Sequence, residues 1–314
     1  MAASGSLAHA PAPIPVDRGT GLRLVRFAEP APTVPGTARK VAAAPYAGLH
    51  PWFPLSPCGD GCLADHRDTV STAQAAVRVI RAAAVVAGAV CTWPLLVVFP
   101  RSGRRRFLAL LSRQLLVALG LTVVVDDRRA VPGRFDGLVV ANHISYLDIA
   151  AIAGVCPARF VAKAEIADTP GAAVPAVIFR TIKVQRNSLR QLPTAVGVVA
   201  ARLARDRSVA VFPEGTTRCG MSAGTFAPAF FQAAIDAGVP VLPVGLTFTT
   251  AAGTCAAAAF IGDDAPWDTL LRVVRTRGLT VRITVHESQS PGADRRELAR
   301  RCERLIGTAA HRSP

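Results

Sequence analysis

Aromatic residues are scarce, 6% of the 314-residue chain, with two tyrosines and three tryptophans. Proteins that bind nucleic acid usually present aromatics for base stacking or a recognisable reader motif, and neither is evident. Acidic residues are also few, 21 Asp and Glu against 36 Lys and Arg, which leaves a net charge of +15. An excess of that size points to an anionic partner. With no nucleic acid expected, anionic membrane lipids are the expected partner. The seven cysteines are odd in number and scattered, so they do not read as a disulfide framework, and a reducing compartment is expected. Cys58, Cys62 and His66 stand at spacings that could ligate a metal, with His50 as the nearest fourth donor. The plainer expectation is adopted: small residues in a Pro- and Gly-rich arm. That arm also lacks the apolar core of a secretory signal, which fits a protein on the cytoplasmic face of the cell membrane.

What is present divides the chain into three parts. Residues 1–70, rich in Ala, Pro, Gly and Ser with no sustained period, read as a flexible arm. Residues 71–119 read as a membrane-associating helical segment. Within it Ala82–Pro100 is uncharged, about as long as a bilayer crossing, and flanked by Arg78 and Arg81 before and Arg101, Arg104, Arg105 and Arg106 after. A span, a re-entrant or interfacial hairpin, and a buried core helix all fit. Arginines on both sides favour a segment that dips in and returns, and Pro94 is expected to kink or split it.

Residues 120–314 alternate short β-branched runs with helical stretches. The runs are Leu121–Val125, Leu138–Ala141, Phe160–Ala162, Ile182–Val184, Val209–Phe212, Val241–Val244 and Val281–Val285. Leu192, Val196, Val199 and Leu203 recur at helical spacing. Such alternation predicts an α/β domain on a mixed, largely parallel sheet flanked by helices, with the chemistry on loops at strand ends. A later helix near Trp267, Leu270, Leu271 and Val274, with Arg272, Arg275 and Arg277 close by, could rest on an anionic membrane or be an ordinary packed amphipathic helix.

Two segments carry the chemistry. Asn142-His143-Ile144-Ser145-Tyr146-Leu147-Asp148 follows the run Leu138–Ala141. Five residues of regular helix turn roughly 500°, so His143 and Asp148 meet only if the chain turns at the strand end before a helix begins. In that geometry the carboxylate fixes the imidazole tautomer, and the other ring nitrogen can take a proton from a substrate hydroxyl. A structural histidine capped by a nearby Asp is the alternative. The second segment, Phe212-Pro213-Glu214-Gly215-Thr216-Thr217-Arg218, combines a tight turn with a planar cation suited to phosphate oxygens. Here Glu214 is expected to orient Arg218 or a substrate hydroxyl rather than act as a base.

In order and separation these segments resemble the glycerolipid acyltransferase family that includes 1-acylglycerol-3-phosphate acyltransferases. Asn142, His143 and Asp148 match its Asn-His-x4-Asp motif, Phe212 to Thr216 with Arg218 match its phosphate-binding motif, and Gly238 to Val244 match its Val-Pro motif. Phe160-Val161-Ala162-Lys163 is similar to a further family segment, and Lys163 is one of only three lysines. Arg186 matches another basic position, although Arg180 and Lys183 depart from the pattern around it. The resemblance implies acyl transfer from acyl-CoA or acyl carrier protein to a lysophospholipid hydroxyl, with lysophosphatidic acid the default acceptor and a lyso-ornithine lipid the runner-up. It implies His143 as general base, Asp148 as its orienter, and Lys163, Arg186, Glu214, Gly215, Thr216 and Arg218 as acceptor-binding residues. No metal or redox cofactor is implied.

Two rival readings accompany it. Gly220-Met221-Ser222-Ala223-Gly224 fits a nucleophile-elbow pattern, with Asp236 and His286 in triad order, but seven residues separate it from the strand it would have to follow directly. A basic membrane-bound protein without catalysis would have no need of the His143/Asp148 pair.

Overall fold

The computed structural model describes residues 22–24, 56–63, 68–92, 94, 98–163, 181–184, 189–206, 208–221, 224–261 and 264–310. Among them are nine strands: β1 (Leu22–Leu24), β2 (Thr122–Asp127), β3 (Gly137–Ala141), β4 (Arg159–Lys163), β5 (Ile182–Val184), β6 (Ser208–Val211), β7 (Val241–Thr250), β8 (Gly253–Thr254) and β9 (Thr280–Val285). The helices are α1 (Thr72–Thr92), α2 (Arg101–Ala118), α3 (Leu147–Val155), α4 (Leu192–Asp206), α5 (Phe231–Asp236), α6 (Pro266–Arg275) and α7 (Arg295–Ala310). The strands form one sheet in the order β1-β2-β9-β7-β3-β6-β4-β5, with β8 beside β7. Every pairing is parallel except β7 with β9 and the short β7–β8 hairpin. This is the expected mixed, largely parallel sheet.

Helices cover both faces, because β3 is buried along its whole length and alternates its side chains between two cores. Val139 and Ala141 pack with residues of α2, α3 and α6, while Leu138 and Val140 pack with α4, α5 and α7. On α4 the apolar stripe Val196, Val199 and Leu203 is the buried face, as its spacing predicts.

Each of the seven runs read from sequence falls on a strand, with Leu121 and Phe212 one residue outside β2 and β6, and there are two larger differences. β7 continues to Thr250, and β1 adds an edge strand from within the arm by pairing Leu22–Leu24 with Val123–Val125. Cys58 and Cys62 of the arm are also buried in the core.

The apolar segment differs from expectation in its register. α1 starts ten residues before Ala82, where Ser71 and Gln74 exchange side-chain-to-backbone hydrogen bonds as a capping box. It ends at Thr92, so Pro94 lies beyond the helix and does not kink it. Arg78 is therefore inside the helix. It donates to the carbonyls of Val274 and Thr276, both 2.9 Å away, at the carboxyl end of α6. A Cβ on Gly120 would collide with the Arg78 guanidinium, so glycine there makes room for the docking. At 21 residues α1 is about 32 Å long. Its most apolar stretch is only 17% buried, with Val77, Ile80, Val86 and Val90 exposed. A buried core helix is thereby excluded, and an apolar helix left this open is one that associates with a membrane.

Candidate active site

β3 and β6 are adjacent parallel strands, so the loops leaving their carboxyl ends emerge side by side. The chain turns at Asn142–Tyr146 and α3 begins at Leu147, which places Asp148 in the first helical turn. His143 Nδ1 lies 2.8 Å from Asp148 Oδ2, and the same oxygen accepts the amide hydrogens of Ile144 (2.5 Å) and Ser145 (2.8 Å). Asp148 is fully buried. Two backbone amides already donate to that oxygen, so the neutral imidazole tautomer that completes the set has its proton on Nδ1 and leaves Nε2 as the acceptor. Phe212 stacks on the imidazole with ring centroids 4.0 Å apart, fixing its plane. The ring remains partly open, 22% exposed, at a cleft also lined by Asn142, Glu214, Arg218 and Thr247.

The two motifs are joined through backbone. His143 N–H donates to Glu214 Oε2 at 3.0 Å, and Arg218 N–H donates to His143 O at 2.8 Å. The other Glu214 oxygen accepts from Gly224 N–H at 2.9 Å. Burial pushes the Glu214 carboxyl upward, against the pull of the His143 and Gly224 amides and of Arg218. Both Glu214 oxygens brace backbone, and the carboxyl also lies near enough to the Arg218 guanidinium to feel its charge. Asn142 ties the site to β7, exchanging hydrogen bonds of 2.9 and 2.8 Å with Leu246. Thr217 Oγ donates to Phe260 O, while Gly215 turns the chain with φ +75° beside half-buried Thr216.

Sequence reasoning passed over Gly224 except as part of a rival motif. A Cβ there would overlap the Arg218 side chain and press on Glu214 Oε1, so the guanidinium crosses the chain at a place that only glycine leaves open. Gly220, with φ +82°, lies against Ile144. The two glycines of the Gly-x-Ser-x-Gly pattern are thus accounted for by packing around the Arg218 loop. Ser222 lies outside the described residues; Asp236 accepts from Gln232 instead, and His286 is buried near Arg128 and Asp126.

Lys163 ends β4, but its side chain lies outside the described residues, as do Arg180, Arg186, His50 and His66. Among the described residues the structure assembles one group of possible metal ligands: the sulfurs of Cys58, Cys62 and Cys219 lie within 4.8 Å of one another. Cys219 had no place in the sequence reading. Arg272 of α6 is bound by Asp264, and Arg277, two residues beyond the helix, forms an exposed ion pair with Asp68.

Residues 122–247 match the family model described as Acyltransferase. The chain is 36% identical to the 1-acyl-sn-glycerol-3-phosphate acyltransferase of Neisseria meningitidis over 57% of its own length and 70% of the relative's. It is 37% identical to the lyso-ornithine lipid O-acyltransferase of Pseudomonas aeruginosa over 55% of its length and 69% of that relative's. The crystal structure of the 1-acyl-sn-glycerophosphate (LPA) acyltransferase PlsC from Thermotoga maritima matches the fold with a TM-score of 0.57 at 20% identity, over 76% of this chain and 94% of that one. A sheet that sets a His–Asp pair with a buried carboxylate beside an Arg-bearing loop, in a chain that matches its relatives along most of their length, identifies the chain as a member of the glycerolipid acyltransferase family, an enzyme that transfers acyl groups to lysolipids.

Proposed function

We propose that the protein transfers a fatty acyl group from acyl-CoA or acyl carrier protein to the free hydroxyl of 1-acylglycerol-3-phosphate, giving phosphatidic acid at the cytoplasmic face of the cell membrane. The observation that carries this is the His143–Asp148 pair, 2.8 Å apart with the carboxylate buried, opening on a cleft that Arg218 also lines. His143 Nε2 takes the proton of the acceptor hydroxyl as its oxygen attacks the thioester carbonyl carbon. The carbon–sulfur bond breaks, and the proton passes from the imidazolium to the departing thiolate. Asp148 stabilises the imidazolium through Nδ1–H. Arg218, with the Gly215–Thr216 turn, holds the acceptor phosphate. Lys163 and Arg186 are further candidates for that contact on the strength of the resemblance. Glu214 positions both loops rather than touching substrate.

The Pseudomonas relative favours a second acceptor, a lyso-ornithine lipid, whose carboxylate offers the Arg clamp a similar anion. Labelled acyl-CoA offered with each lysolipid to the purified protein in liposomes separates the two readings. Replacing His143 with Ala lowers turnover roughly 10²–10⁴-fold if the imidazole is the base. Product from lysophosphatidic acid alone supports the first reading, and product from the ornithine lipid alone supports the second. Undiminished turnover in folded His143→Ala protein would remove the base from the mechanism.

A further inference from the structure

Three cysteines outside the catalytic pair converge where chain segments far apart in sequence meet. Cys58 and Cys62 lie in the segment Ser56–Leu63, which turns once through Asp60–Cys62, with Cys62 N–H donating to Gly59 O at 2.9 Å. Cys219 directly follows Arg218 on the anion loop. All three are buried, and their sulfurs fall within 4.8 Å of one another. The Cys219 amide points at Cys58 Sγ from 3.2 Å across 161 residues of sequence.

A single buried thiol needs no explanation, because cysteine packs like a small hydrophobe, and Cys156, Cys255 and Cys302 are buried without forming such a group. A trio is different. One disulfide would consume two sulfurs and strand the third. Three sulfurs around a common point, with a backbone N–H aimed at one of them, are what a soft cation gathers. Tetrahedral zinc–sulfur bonds of about 2.3 Å place thiolates about 3.8 Å apart, a spacing inside the 4.8 Å within which the three sulfurs lie. N–H donors to thiolate sulfur are the usual outer support of such a site.

We propose that Cys58, Cys62 and Cys219 bind one thiophilic divalent cation of the zinc class, stapling the segment Ser56–Leu63 to the loop that carries Arg218. The fourth tetrahedral position takes water or another donor. The site is structural: acyl transfer needs only the imidazole, and the ion acts by fixing the loop on which the guanidinium is mounted. The segment Ser56–Leu63 has little apolar surface with which to hold itself in place, so a cross-link there stabilises a contact that packing alone supports weakly.

The test uses the full-length protein, purified in detergent under reducing conditions from cells supplied with zinc. Elemental analysis is expected to find about one zinc per chain. Exchange with cobalt(II) should produce the intense near-ultraviolet absorption of sulfur-to-cobalt charge transfer. Cys58→Ser and Cys219→Ser lose both signals, while Cys302→Ser, placed in the other core, keeps them. Alkylation of the intact protein gives a reading independent of variant folding: the three thiols are shielded until a chelator removes the ion. Zinc in the intact protein no higher than in the Cys58→Ser/Cys219→Ser double variant overturns the proposal. Recovery of a Cys58–Cys219 disulfide from freshly lysed cells overturns it equally.

Discussion

One oxygen of Asp148 receives three hydrogens, and the carboxyl carrying it is sealed from water. Each bond to a charged acceptor contributes about 1.5–3 kcal/mol, which offsets burying the charge and leaves the imidazole one orientation. The sequence makes this pairing readable, because the motif follows directly on an apolar run. It does not reveal Gly224, whose importance rests on a side chain six positions earlier crossing over it. Gly224→Ala should displace Arg218 and raise the KM for an anionic lysolipid roughly ten- to a hundredfold, with a smaller effect on kcat. Gly197→Ala, set in open space on α4, should leave both constants unchanged and add about 0.5–1 kcal/mol of stability. Equal kinetics in the two variants would detach Gly224 from the anion site. His286 supplies a second test at this scale. Burial, aided by Arg128, pulls its imidazole down to about 4. A depressed histidine is neutral when folded and takes up a proton more readily when unfolded. Its contribution is therefore complete above about pH 6.5 and is lost as pH falls towards 4, on the order of 2–3 kcal/mol. Urea midpoints at pH 7 and 4.5 should differ less for His286→Gln than for the unaltered protein.

Strands and helices differ in how far composition betrays them. β3 and β6 are short, largely apolar and buried along their whole length, which is what makes them legible. β1 consists of two leucines around an arginine on a sheet edge, where pairing with β2 and not pattern makes the strand. The start of α1 is hidden for another reason. Arg78 and Arg81 look like charged flanks of the apolar run, yet Arg78 finds carbonyl partners on α6, 196 and 198 residues away. Its guanidinium anchors the apolar helix to the catalytic domain. Arg78→Ala should lower stability by about 1.5–3 kcal/mol in detergent. Arg81→Ala, on an exposed turn of the same helix, should change it little. Matching unfolding midpoints for the two variants would remove Arg78 as the anchor.

At the scale of the whole molecule, apolar exposure and positive charge act together. Trp267 and Leu271 of α6 stand 67% and 44% exposed, and Val98 and Phe99 at the turn after α1 are exposed as well. With a charge of +15, adsorption to anionic vesicles should be strong at low salt and weaken as salt screens it. In a protein whose other two tryptophans are replaced by Phe, Trp267 emission should shift to the blue on adding such vesicles and recover with added salt. No shift at low salt would take α6 off the membrane.

The reversal between β7 and β9 has a consequence for traffic. β7 runs with β3, β9 runs against β7, and β2 runs with β9, so the amino ends of β2 and β9 lie on the rim where β3 delivers His143. α2 hands the chain to β2 on that rim, and the end of α6, where Arg78 holds α1, leads into β9 there. The anchorage of the apolar helix α1 and the His–Asp pair thus share one rim of the domain. A lysolipid can then arrive by lateral diffusion within its leaflet, a search in two dimensions that never takes its acyl chain through water. Turnover in mixed micelles should accordingly follow the mole fraction of acceptor in the interface and fall on surface dilution, even when its total concentration is held constant.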